Sequence, residues 1–241
     1  MLPGKTTTLY RNLFEKLDTW GPYQPQSILM NYELAIHSAA AAVWPSTTLR
    51  GCLFHYKQAL IRKLKQTDLW DEYLIPDSPI RRNFFMVGAL AFLPEADVPR
   101  IWRHLKPLLP VDMAEFASYY ESTWIGSSTT EALFSPSLWN QYESSQLLLP
   151  RSTNIAEGWN HGFHTLLSSS KPSIWKFLDC LKAEQSLTDV KITKRLMCEA
   201  PDPRAPKWIR YDQRLQRRVY NYDDFSDPKD YLRAIGCLTM F

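Results

Sequence analysis

The four cysteines, at positions 52, 180, 198 and 237, include no CxxC pair. A disulfide framework is therefore not expected, and a reduced intracellular setting is. No secretory signal pattern opens the sequence, which points to the nucleus or cytoplasm. No apolar run reaches membrane-spanning length: the longest, Phe84 to Leu93, has ten residues and reads as a buried helix, so no membrane partner is expected. GxSxG, P-loop and GxGxxG motifs are missing, which leaves hydrolase, kinase-like and nicotinamide readings without support. There is also no internal repeat and no low-complexity tract.

What is present is an ordinary globular composition. The 241 residues are 45% hydrophobic and 22% charged, enough to bury a sizeable core as one large domain or two small ones. Nine tryptophans and seventeen prolines point to many helix ends and to aromatic anchors packed between helices. The net charge of +3 does not by itself imply nucleic acid, but its distribution is uneven. Lys191 to Arg218 holds nine Lys or Arg against Glu199, Asp202 and Asp212, a local excess of +6. Such a run attracts a phosphate backbone or forms a solvated face.

Residues 26–56 form the one stretch that reads as strand, helix and second strand. Ser27 to Met30 is a short apolar run, Glu33 to Val43 is rich in helix formers until Pro45, and Arg50 to Phe54 is a second run. This order predicts two neighbouring parallel strands with Asn31 at the carboxyl end of the first, where α/β sheets gather ligands. Upstream, MLPGK reads as a strand end and turn. Thr6 to Leu17 reads as an amphipathic helix, and Gly21, Pro22 and Pro25 as a loop.

From residue 57 to 150 the pattern is helical in short pieces, punctuated by proline: Lys57 to Gln66, Ile80 to Phe92, Val98 to Leu105, Met113 to Trp124 and Ser137 to Glu143. So long a block after a strand pair predicts an inserted helical subdomain. Ser152 to Ser168 follows, with Ile155, Trp159, Phe163, Leu166 and Leu167 as its expected buried face. Asn154, Glu157, His161 and His164 share a polar stripe. A further helix, expected to bury Ile174, Phe177, Leu178 and Leu181, runs toward Leu196. Residues 201–206 read as a linker, before a basic helix from Trp208 to Tyr220 and a last one from Pro228 to Ile235.

Three features could carry chemistry. A carboxylate at a strand end can hold one of a pair of metals for phosphoryl transfer, but Asn31 offers a neutral oxygen and equally reads as the N-cap of the next helix. Asn154 and Glu157 fit a capping-box variant, and Glu157 alternatively fits a metal-binding glutamate. Cys52 and His55 (CxxH) with His161 and His164 (HxxH) could complete a tetrahedral zinc site, although Cys52 equally reads as a small buried side chain.

The ordered runs ILMNYELAIHSAAAAVWP, GCLFHYKQALIRK, ALAFLPEADV, EFASYYESTWIG, LWNQY and RSTNIAEGWNHGF resemble the transposase domain of Mutator-like elements, across nearly the whole chain. The resemblance implies an α/β, predominantly helical fold: an incomplete ribonuclease-H-like core, from residues 1–56 and 151–200, with an all-α insertion at 57–150. Residues 201–241 then form a basic C-terminal linker and helices. The family uses an Asp, Asp, Glu triad and two Mg²⁺ ions to cut and join DNA. Its second aspartate falls on Asn31, its glutamate on Glu157, and its C-x-x-H pair on Cys52 and His55. Its first aspartate has no counterpart, because the sequence starts downstream of that strand.

The resemblance therefore implies a transposase-derived protein without two-metal catalysis, its Mg²⁺ lost; the basic run, read by its charge, offers DNA contacts through Lys207, Arg210, Arg214, Arg217 and Arg218. Two alternatives stay open. One is a fragment of an active Mg²⁺-dependent transposase whose missing strands lie upstream or in a partner chain; the other is a protein-interaction scaffold built on the helical block.

Overall fold

Among the described residues, two short strands sit in a predominantly helical chain. The computed structural model describes residues 3–21, 24–127, 129–169, 171–200 and 204–239. Met1 and Leu2 of the expected strand end, Pro22 of the expected loop and residues 201–203 of the expected linker lie outside them. The described chain packs as two compact units: Met1–Ser152 with Tyr211–Phe241, and Thr153–Arg210. This packing groups the C-terminal helices with the helical block, whereas the sequence divisions set 201–241 apart.

In the first unit, α1 (Thr7–Trp20) begins where the Thr6 side chain accepts from Leu9 N. It packs on α2 (Leu34–Val43), with Phe14 against Trp44 and Trp44 Nε1 donating to Asp18 Oδ1 at 3.1 Å. Between them runs β1 (Ser27–Met30), paired in parallel with β2 (Thr48–Gly51) so that Met30 lies opposite Gly51. The second strand was expected at residues 50–54. It ends earlier because Cys52 already caps α3 (Leu53–Lys65), while its own N–H donates to Met30 O at 2.8 Å.

The ladder bonds Thr48 N to Gln26 O and Cys52 N to Met30 O, so even-numbered residues of β1 face β2. The main-chain groups of Ser27 and Leu29 then face the other way and find no hydrogen-bond partner among the described residues. The outer edge of β2, by contrast, is covered: Gln141 Nε2 donates to Gly51 O at 3.0 Å.

The helical block follows as α4 (Trp70–Leu74), α5 (Pro79–Ala89), α6 (Val98–Leu105), α7 (Ala114–Tyr120), α8 (Pro136–Trp139) and α9 (Tyr142–Gln146). Proline punctuates it as expected, with Pro79 and Pro136 in first helical turns. Two expected helices are split. Residues 80–92 end in a 3₁₀ turn at Leu90–Phe92, and residues 113–124 end in a wide π turn at Glu121–Ile125. The π turn directs Trp124 inward, where its carbonyl accepts from Trp139 Nε1 at 2.9 Å.

The core here is aromatic. Tyr56, Trp102, Phe116, Tyr120, Trp124 and Trp139 are fully buried, and Tyr56 and Tyr120 satisfy each other's hydroxyls at 2.8 Å. Each such ring contributes on the order of 3 kcal/mol by leaving water. The last helix, α13 (Pro228–Thr239), crosses α5 so closely that a Cβ at Gly236 would lie 2.9 Å from Phe85 O.

The second unit is a helical hairpin of α10 (Asn154–Leu167) and α11 (Ile174–Leu196). Phe163 packs edge-on to Phe177, and Trp159 Nε1 donates to Glu184 Oε1 at 2.8 Å. The expected buried faces are corrected here. In α10 only Leu167 is buried and Ile155 is 82% exposed; in α11 the buried residue is Cys180, while Ile174, Leu178 and Leu181 are exposed. A two-helix hairpin covers only one narrow seam, and Phe177, Cys180 and Glu184 occupy it. The helix α12 (Pro206–Tyr220) begins in this unit and ends in the first.

Candidate functional site

Asn31 and Cys52 lie just beyond the carboxyl ends of the two paired strands, as expected. Asn31 is not the N-cap of α2. That helix starts at Leu34 with Glu33 at the cap position, and Asn31 Oδ1 accepts from Glu33 N at 3.2 Å, an Asx turn one step before the helix. The delay has a cause in Tyr32, whose ring leaves the helical path to lie over Gly51. A Cβ at Gly51 would meet Tyr32 Oη at 2.4 Å and Cε1 at 2.6 Å, so this strand end admits only glycine.

Tyr32 is then held edge-on by Trp124 (centroids 4.9 Å apart) and Phe134 (5.1 Å). Burial, reinforced by Tyr56 and Cys52, raises the Tyr32 phenol well above its ordinary range, so it stays neutral. His37 Nε2 donates to Asn31 O at 2.5 Å, and burial lowers the imidazole pKa. Tyr32, Trp124 and Phe134 therefore pack as an aromatic cluster beside the strand ends.

These residues do not fit a two-metal centre. Asn31 brings a neutral oxygen already engaged with an amide, and Glu33 is drawn toward Lys5, whose Nζ is 3.5 Å from its carboxylate. Cys52 is wholly buried at the helix cap, with His55 half-buried in the following turn. His161 and His164 are exposed on α10 in the other unit, and Glu157 there accepts from Thr153 Oγ1 at 3.2 Å. The capping box expected from Asn154 does not form: Thr153 is the cap, Asn154 is the first helical residue, and no side-chain cap hydrogen bond is made. Among the described residues, no group of three or more His, Cys, Asp and Glu is arranged to hold a metal ion.

The basic helix is organised differently. In α12 the buried residues are Asp212, Leu215 and Val219, one face at helical spacing. Lys207, Arg210, Arg214 and Arg217, at intervals of three, four and three, form an exposed stripe on the opposite face. Arg218 does not belong to it: its Nη1 donates to Ala234 O at 2.6 Å, tying α12 to α13. The one acidic residue of α12, Asp212, points inward and pairs with Arg151. The outward charge of this helix is consequently all positive.

One interior group escaped the sequence reading. Lys57 is 6% exposed, and its Nζ donates to Thr239 O. Burial, assisted by the nearby Arg151 charge, lowers its pKa to about 7. Its place in the run Leu53, Lys57, Leu60, Leu64, all buried at helical spacing, is the signal that could have found it. Compared with protein-family models, curated proteins and solved structures, the chain has no match.

Proposed function

We propose that this chain is a transposase-derived protein, akin to the Mutator-like element domain, that binds DNA backbone through α12 and carries out no two-metal strand transfer. The observation supporting it is the exposed stripe Lys207, Arg210, Arg214 and Arg217, set opposite a buried face and free of outward carboxylates. Four cations on one helical face can follow a phosphate backbone; contacts of this kind confer affinity and position but no sequence preference. The inactivity half rests on donor chemistry. An amide that caps a turn cannot replace the charge of an aspartate beside two divalent ions.

Affinity for duplex DNA measured against salt tests the binding half. Four phosphate contacts give a log–log slope of about −3.6, and reversing Arg210, Arg214 and Arg217 to Glu flattens it to about −0.9 or shallower. Undetectable or salt-independent binding sinks the idea. Arg218 is left intact because its contact with Ala234 is structural.

The open edge of β1 favours a second reading, in which another strand pairs with Ser27 and Leu29 and completes an active core. The two readings part in a nicking assay with Mg²⁺ or Mn²⁺ on an element-end DNA. The first expects no cleavage; cleavage abolished by Glu157→Gln establishes the second.

A further inference from the structure

Away from α12, the first unit contains a cleft of about 510 Å³ between α5, α13 and the end of α6. That volume lies within the range of small-molecule sites. Met86 and Leu105, both buried, line its interior. Around it stand Arg82 and Asn83 from α5, and Lys229 and Arg233 from the first two turns of α13. The residues alternate properly for one helical face on each side: Arg82, Asn83 and Met86 on α5, Lys229 and Arg233 one turn apart on α13.

The charges are of one sign. No carboxylate lines the cleft, and among the described residues the side chains of Arg82 and Lys229 form no ion pair or hydrogen bond. Arg233 alone has a partner, Asp230 at 2.9 Å, in an exposed pair that solvent screens and that a better anion would displace at little cost. Gathering three cations around an apolar floor is unfavourable unless an anion enters. The smaller cleft of about 260 Å³ at Arg217 and Arg218 differs, because Asp224 lines it and offsets their charge.

We propose that the larger cleft binds a small anionic amphiphile: a phosphate head held by Arg82, Lys229 and Arg233, with an apolar body against Met86 and Leu105. Asn83, whose Nδ2 already donates to Pro79 O at 2.9 Å, leaves its amide oxygen as a polar group at the rim. This site is independent of the DNA contacts of α12.

Isothermal titration of the full chain with 1-naphthyl phosphate tests it, with inorganic phosphate and 1-naphthol as the two halves of the probe. Saturable one-to-one binding is expected, with each half at least tenfold weaker than the whole. Arg82→Gln and Lys229→Gln, both on the surface side of the cleft, are each expected to weaken binding about tenfold while the DNA salt slope stays unchanged. Absence of saturable binding, parental affinity in both variants, or inorganic phosphate binding as tightly as the probe overturns the proposal. A variant that also changes the DNA slope overturns the independence of the two sites.

Discussion

Lys57 offers the sharpest quantitative test of the core. Its ordinary pKa of 10.5 falls to about 7 in the folded protein, because the ammonium is buried and Arg151 stands nearby, while Asp212 is paired with Arg151. Between these two values the unfolded chain holds more protons than the folded one, so stability rises with pH across that window. The slope is about 1.36 kcal/mol per pH unit, giving about 2 kcal/mol between pH 7.5 and 9. Lys57→Met removes the ionisable group while keeping a long apolar stem. At pH 7.5 about 4 kcal/mol of charge burial is relieved, against about 1 to 3 kcal/mol for leaving Thr239 O without its donor. The variant is therefore expected to be more stable than the parent by about 1 to 3 kcal/mol at pH 7.5, the margin closing by pH 9. Urea titration of the first unit, followed by the fluorescence of buried Trp102, Trp124 and Trp139, measures both slopes. A parent whose midpoint is flat from pH 7.5 to 9, or a Met variant that keeps the slope, refutes the reasoning.

Gly51→Ala forces a methyl into the Tyr32 ring and is expected to cost about 1 to 3 kcal/mol in thermal or urea unfolding. Tyr32→Phe should not rescue it, since ring carbons as well as the hydroxyl occupy that space; full rescue by Phe would contradict the geometry. Asp212→Ala strands the largely buried Arg151 and is expected to cost about 3 to 5 kcal/mol, whereas joint replacement by Arg151→Met and Asp212→Leu costs less than either single change. A double-mutant cycle showing simple additivity would refute that coupling. Because burial lowers the His37 pKa, its share of stability is lost as the pH falls below about 6.5. His37→Gln, which can still donate to Asn31 O, should flatten the acid limb of the unfolding curve.

Much of the architecture was legible because proline and periodicity speak locally. Pro79, Pro94, Pro110 and Pro136 marked the joints of the helical block, and the strand, helix, strand order placed β1 and the parallel pairing. The second strand lies earlier than expected: Cys52 and Leu53 are as apolar as strand residues, and only the bond from Tyr56 N to Cys52 O shows that the helix has already begun. The buried faces of α10 and α11 were mistaken for a related reason. Periodicity reveals that a helix has an apolar stripe, but a hairpin seam can cover only part of one, and Ile155 and Ile174 stay exposed. For α12 the sequence marks a basic helix but not its inner face; Asp212, Leu215 and Val219 form that face in the structure, and Arg218 leaves the basic stripe to bond Ala234 O.

The strand end shows why a motif position and a site are different things. Asn31 stands where an α/β sheet would offer a ligand group, and the local backbone honours that position with an ordered turn. What decides the chemistry is Tyr32, the next residue, together with Trp124 and Phe134 from a segment about a hundred residues away. Restoring a carboxylate at Asn31 alone would accordingly place a charge beside a packed aromatic cluster and a His37 imidazole held neutral by burial. The charge would lack the second ligand it needs, and its desolvation would weaken the fold instead of creating a metal site. The DNA-backbone contact proposed for this protein is accordingly assigned to the outer face of α12, where the cations already meet water, and not to the strand end.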